Sequence, residues 1–137
     1  MTQVRDVMTS NPTTCSVEAS VADAARVMAQ EDVGPIPVME GARLVGILTD
    51  RDIVIRVVAE GRDPQSTTVG EVASTDLVTV SPDENLDRAL QLLAEQQVRR
   101  LPVVEGETLV GVVAQADIAR QGDDRTTGQV VEQISED

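Results

Sequence analysis

Slid along itself by 65 residues, the sequence meets its own likeness without a gap. Leu44-Val45-Gly46 falls on Leu109-Val110-Gly111, Asp52-Ile53 on Asp117-Ile118, Pro37-Val38 on Pro102-Val103, and Glu40-Gly41 on Glu105-Gly106. Val4, Val7, Thr14, Ser16, Ala24, Ala29 and Val33 meet the same residue types at Val69, Val72, Thr79, Ser81, Ala89, Ala94 and Val98. These are sixteen identities, where ordinary residue usage gives about three or four over a stretch of about fifty residues. A duplicated segment of about fifty residues is too small to bury an adequate core alone. The two copies are therefore expected to pack their apolar faces together around a pseudo-two-fold axis.

Each copy reads β-α-β-β-α, which places the fold in the α/β (α+β) class. In the first copy residues 13–17 suggest a short strand. Ser20 follows as a helix N-cap, with Asp23 three residues on. Val21, Ala24, Ala25 and Met28 then recur at helical spacing, as do Leu86, Ala89, Leu90 and Leu93 after the cap candidate Asn85. Residues 36–39 form a strand and 40–43 a turn. Residues 44–48 are so apolar that burial on both faces is expected. Asp50 is expected to cap a last helix with Ile53, Val54, Val57 and Val58 on its inner side. The motifs are bounded at 1–60 and 69–121. A polar linker at 61–68 joins them, and 122–137 reads as a polar break, a short helix on Val130, Val131 and Ile134, and a frayed end.

Composition narrows the chemistry. The formal net charge of -13 opposes nucleic acid and anionic membrane surfaces as partners. The chain holds no Phe, Tyr or Trp, so an aliphatic slot must grip any base it binds. It also has no His, the commonest general base and metal ligand. Together with the lack of a Gly-rich phosphate loop, this points away from catalysis and from a metal centre. Cys15 is the single cysteine, so no internal disulfide forms and a reducing, cytoplasmic setting is expected. In its apolar strand it reads as a small buried residue. No secretory leader and no membrane-spanning run is seen.

The residues also carry a family resemblance over nearly the whole chain. Val4-Arg5-Asp6-Val7-Met8-Thr9, Val33-Gly34-Pro35-Ile36-Pro37-Val38, and the run from Leu44 through Thr49-Asp50-Arg51-Asp52-Ile53 resemble the successive parts of a CBS motif. Residues 98–104 and 109–118 resemble the same parts again. Two such motifs make a Bateman module. The resemblance implies a non-catalytic regulatory role: binding AMP, ADP, ATP (with Mg²⁺), NAD or S-adenosylmethionine in a cleft between the motifs, and signalling to a separate partner. None of these is an obligatory cofactor.

The family's ligand signature runs Gly, apolar, any, Thr or Ser, any, any, Asp. Gly46, Thr49 and Asp52 match it, which implies Thr49 on phosphate and Asp52 on the ribose hydroxyls. By family position Val33, Ile36 and Pro37 wall the adenine slot, with Thr14 nearby. Arg51, Arg99 and Arg100 are the cations available to a phosphate. In the second copy Asp117 remains, but Ala114 replaces the hydroxyl residue, so the first site is expected to be the stronger. The same residues also suit plainer roles: Thr49-Asp50-Arg51-Asp52 is an ordinary helix start, and Val33, Ile36 and Pro37 suit a core. The rival to ligand sensing is an interaction module. Its apolar helix faces (Ile53, Val54, Val57, Val58; Leu90, Leu92, Leu93) would seat a homodimer, and Thr49 and Asp52 would then be dispensable.

Overall fold

The computed structural model describes residues 2–121; the helix and polar end expected over 122–137 lie outside them. In chain order, a 3₁₀ turn at Val4–Asp6 precedes β1 (Thr9–Ser10), β2 (Cys15–Ser16), α1 (Val21–Glu31), β3 (Ile36–Glu40) and β4 (Arg43–Leu48). Then come α2 (Asp50–Ile53), which continues as a π-helical turn at Val54–Val58, and α3 (Val69–Val72). The second half holds α4 (Leu86–Gln96), β5 (Arg100–Glu105), β6 (Thr108–Ala114) and α5 (Gln115–Gln121).

Two compact units form, and their boundaries differ from those of the repeats. Residues 13–77 make one unit; the flanking residues, up to Pro12 and from Val78 on, make the other. Each unit is thus completed by the lead-in segment of the other repeat. In the 13–77 unit β2 runs parallel to β3, which pairs antiparallel with β4. The lead-in of the second copy closes this unit: Ile47 and Ser74 exchange two backbone hydrogen bonds of 2.9 Å each. Gly46 permits the approach, because a Cβ there would lie 2.8 Å from the Ser74 carbonyl oxygen. In the flanking unit β1 and β5 both pair antiparallel with β6, and Val80 bridges to Val103 in parallel. Gly111 plays the matching part: a Cβ there would lie 2.8 Å from the Thr9 carbonyl oxygen.

Each unit has its own aliphatic core. Val21, Ala24, Met28, Ile36, Leu48 and Val57 lead the first, joined by Val69 and Val72 from the exchanged segment. Leu90, Leu93, Leu101, Val103, Val113 and Ile118 lead the second, joined by Val4 from the other exchanged segment. Burying a side chain of this kind contributes about 1.5–3 kcal/mol, so the docked valines anchor their segments. Both long helices start as expected. The Ser20 hydroxyl accepts from Asp23 N at 3.0 Å and the Asn85 side chain from Asp87 N at 2.8 Å. Asp32 and Gln97 end them in the left-handed conformation.

Five local expectations are corrected. The first strand is only Cys15–Ser16. β4 alternates between buried Leu44, Gly46 and Leu48 and half-buried Val45 and Ile47, so only one face is fully covered. Thr49, not Asp50, caps α2. Of the four apolar residues expected inside, Val57 is buried and Ile53 half-buried, whereas Val54 and Val58 are 57% and 65% exposed. The π-turn explains this last difference. Ala59 N reaches back five residues to Val54 O, and the wider turn breaks the i, i+4 stacking that an α-helix would impose. Leu90 and Leu93, expected as spare surface, lie in their own unit's core.

Candidate functional site

The turn from β4 into α2 is the centre of the candidate site. Thr49 has extended backbone angles and its Oγ1 accepts a hydrogen bond from Asp52 N at 3.0 Å. In return Asp52 Oδ2 accepts one from Thr49 N, also at 3.0 Å. The two residues that the family signature assigns to phosphate and ribose therefore form a reciprocal capping box, which satisfies two otherwise orphaned N–H groups. Asp52 is shielded, its side chain 13% exposed, and Arg56 Nε lies 3.9 Å from its Oδ1. Arg56 Nη1 donates to the Val72 carbonyl oxygen at 2.9 Å. Sequence reasoning missed Arg56; its spacing of four from Asp52 on a helix was the available signal.

The neighbouring candidates gather on the same ladder. Ile36 pairs with Leu48 and Pro37 with Ile47, one and two residues ahead of Thr49. Asp50 N donates to Gly34 O at 3.2 Å, which holds the start of α2 beside the 33–37 segment. Val33 is half-buried against the core, Ile36 is fully within it, and Pro37 is buried. Thr14 is exposed just before Cys15, whose partner on β3 is Val38. Arg51 is exposed at the first turn of α2. Cys15 is half-buried, and burial pushes its thiol up to about 11. It is therefore a neutral thiol near pH 7, suited to packing rather than nucleophilic chemistry.

Arg100, Ala114 and Asp117 come together in the flanking unit. Arg100 pairs with Ala114 across the β5–β6 ladder, and Ala114 N donates to Asp117 Oδ2 at 3.3 Å. With no hydroxyl at Ala114 the box is one-sided. Asp117 takes its ion pair from Arg120, at 2.5 Å. Among the described residues, Gln115 Oε1 is buried there without a hydrogen-bond partner. Among the described residues no three His, Cys, Asp or Glu side chains converge as a metal site would require, and no helix is long and apolar enough to cross a membrane.

Comparison with known proteins agrees with this architecture. The CBS domain family matches residues 4–59 and again 69–123. The CBS domain-containing protein YhcV of Bacillus subtilis is 46% identical over 136 residues, covering 98% of this chain and 96% of that protein. The crystal structure of Hypoxic Response Protein I, which holds two coordinated zinc ions, superposes with a TM-score of 0.80 at 40% identity, over 89% of this chain and 100% of that one. The CBS domain pair of protein MJ0100, in complex with 5′-methylthioadenosine and S-adenosyl-L-methionine, superposes with a TM-score of 0.74 at 27% identity, over 88% of this chain and 95% of that one. With two motif matches spanning most of its length, the chain belongs to the CBS domain family, as a tandem pair of CBS motifs.

Proposed function

We propose that the chain is a regulatory module that senses an adenosine-type ligand at the Thr49–Asp52 turn and signals to a separate protein in the cytoplasm, acting by binding and not by catalysis. The observation that carries this reading is the capping box, because it orients both side chains without exhausting them. Thr49 Oγ1 accepts one hydrogen bond and still has its own O–H to donate to a phosphate oxygen. A carboxylate offers about four lone-pair sites. At Asp52 one accepts from Thr49 N, and the ribose hydroxyls can donate to the others. The nearby exposed Arg51 favours an anion. The MJ0100 pair with its two adenosine compounds supports adenosine as the part recognised. AMP, ADP, ATP with Mg²⁺, NAD and S-adenosylmethionine are the candidates.

Thermal unfolding of the wild type and of Asp52→Ala, each with these five ligands, tests the reading. A ligand at a hundred times its dissociation constant adds about 2.7 kcal/mol and raises the midpoint by several degrees. The expected result is one such ligand for the wild type and no shift for Asp52→Ala. If none of the five moves the wild-type transition at millimolar concentration, the sensor reading fails. A second reading, a homodimeric interaction module, is favoured by the exposure of Val54, Ile55 and Val58 on one helical stretch. It would leave the Asp52→Ala protein fully functional.

A further inference from the structure

One charged side chain beside the Thr49–Asp52 turn has no part in gripping the ligand as proposed above. Arg56 spends its guanidinium on two groups at once: Nη1 on the Val72 carbonyl oxygen at 2.9 Å and Nε on Asp52 Oδ1 at 3.9 Å. The first is a hydrogen bond and the second an ion pair without one. The difference follows from the backbone. In an α-helix residues four apart stack, but Arg56 lies in the π-turn, where the wider winding carries it past Asp52 and toward Val72.

Val72 ends the four-residue α3, so its carbonyl lacks an onward helical partner and needs a donor. Two residues on, Ser74 is bonded in both directions to Ile47, and Ile47 lies two residues ahead of Thr49 on β4. The contacts close a ring: Thr49, Asp52, Arg56, Val72, Ser74, Ile47 and back to Thr49. We infer that Arg56 is a positioning residue, which aims the Asp52 carboxylate and couples its occupancy to the docking of the exchanged 69–74 segment. The hydrogen bond at Val72 holds the guanidinium charge beside Asp52, so a change in either contact biases the other. What fills Asp52 rests on the sensor reading; the tie between Asp52 and the segment does not.

Two measurements on the full chain test this. The first is amide hydrogen exchange at Ser74 without any nucleotide. Arg56→Gln and Asp52→Asn, which keeps an acceptor oxygen but loses the charge, should each speed Ser74 exchange by about five-fold. Arg43→Gln, which breaks an exposed ion pair with Glu40 in the same unit, should leave it unchanged. An unaltered rate in Asp52→Asn overturns the tie. The second compares AMP with 2′-deoxy-AMP. Loss of the hydroxyl should weaken wild-type binding by about ten-fold and Arg56→Gln binding by about two-fold, because a misaimed carboxylate gains little from it. Arg56→Lys, which keeps a charge beside Asp52, should restore the discrimination. A merely structural Arg56 would weaken both nucleotides equally, and that result overturns the positioning role. If the wild type binds neither nucleotide, the sensor reading fails, and the exchange rates still decide the tie.

Discussion

The two β-to-α turns, 65 residues apart, are the same device in two states of completion. Asp52 and Asp117 are equally shielded, with side chains 13% and 16% exposed, and each accepts from the backbone N–H three residues earlier. The hydroxyl and the cation differ. Thr49 returns the hydrogen bond and Ala114 cannot. Arg56 is half-exposed and anchored on a backbone carbonyl, whereas Arg120 is 78% exposed and, among the described residues, pairs within its own helix. The carboxylate thus persists where the hydroxyl has gone, which shows that it serves the helix start in both copies. The Thr49 hydroxyl and the anchored Arg56 are what the first turn has in addition.

Two pairs of substitutions and one titration separate what the copies share from what they do not. The largest effect is expected at the glycines. Gly46→Ala and Gly111→Ala each push a methyl into a backbone carbonyl at 2.8 Å, and each should cost about 1–3 kcal/mol in denaturant unfolding. Equal losses would confirm that the two exchanged segments dock alike; a silent Gly111→Ala would show that β1 yields where the 73–74 segment does not. Next, Thr49→Ala should cost about 1 kcal/mol and make the first turn resemble the second. The converse Ala114→Thr should gain a similar amount, and Arg100 stands across the ladder as a cation for any phosphate it recruits. No gain there would mean that the second turn cannot close the box.

The smallest effect concerns Glu71, which caps the exchanged segment. Hydrogen bonds from the Thr68 backbone and hydroxyl, helped by Arg62, hold its carboxyl below the usual value of 4.5. A depressed folded-state pKa stabilises the native chain above the unfolded value and ceases to do so as pH falls through the folded one. Wild-type stability should therefore lose a small increment below pH 4.5 that Glu71→Gln lacks. Parallel curves for the two proteins would remove this cap from the account.

Much of this was legible locally. The 65-residue repeat, the caps at Ser20 and Asn85, and the apolar helix stripes are short-range patterns, and the structure keeps them. The strand exchange was not legible, because Ser74 finding Ile47 leaves no mark within either segment. The exposure of Val54 and Val58 was hidden for another reason: spacing arguments assume 3.6 residues per turn, and the π-turn changes the increment. Placing the cap on Asp50 instead of Thr49 is the ordinary one-residue uncertainty where every residue in a run can cap. Arg56 was passed over because its main partner, the Val72 carbonyl, is sixteen residues away in sequence.

The exchanged segments also set an order of assembly. Residues 13–77 are continuous, so that unit has every strand and helix it needs once Leu77 has been made. The flanking unit cannot close so early. Val4 lies in a core whose other buried residues run from Val80 to Ile118, and its N–H donates to the Glu84 carbonyl. The segment around Val4 finds its partners only in the second half of the chain, so docking it closes a long loop. The Thr49–Asp52 turn therefore rests on one continuous stretch of chain, whereas its counterpart around Asp117 depends on a segment from far back in the sequence.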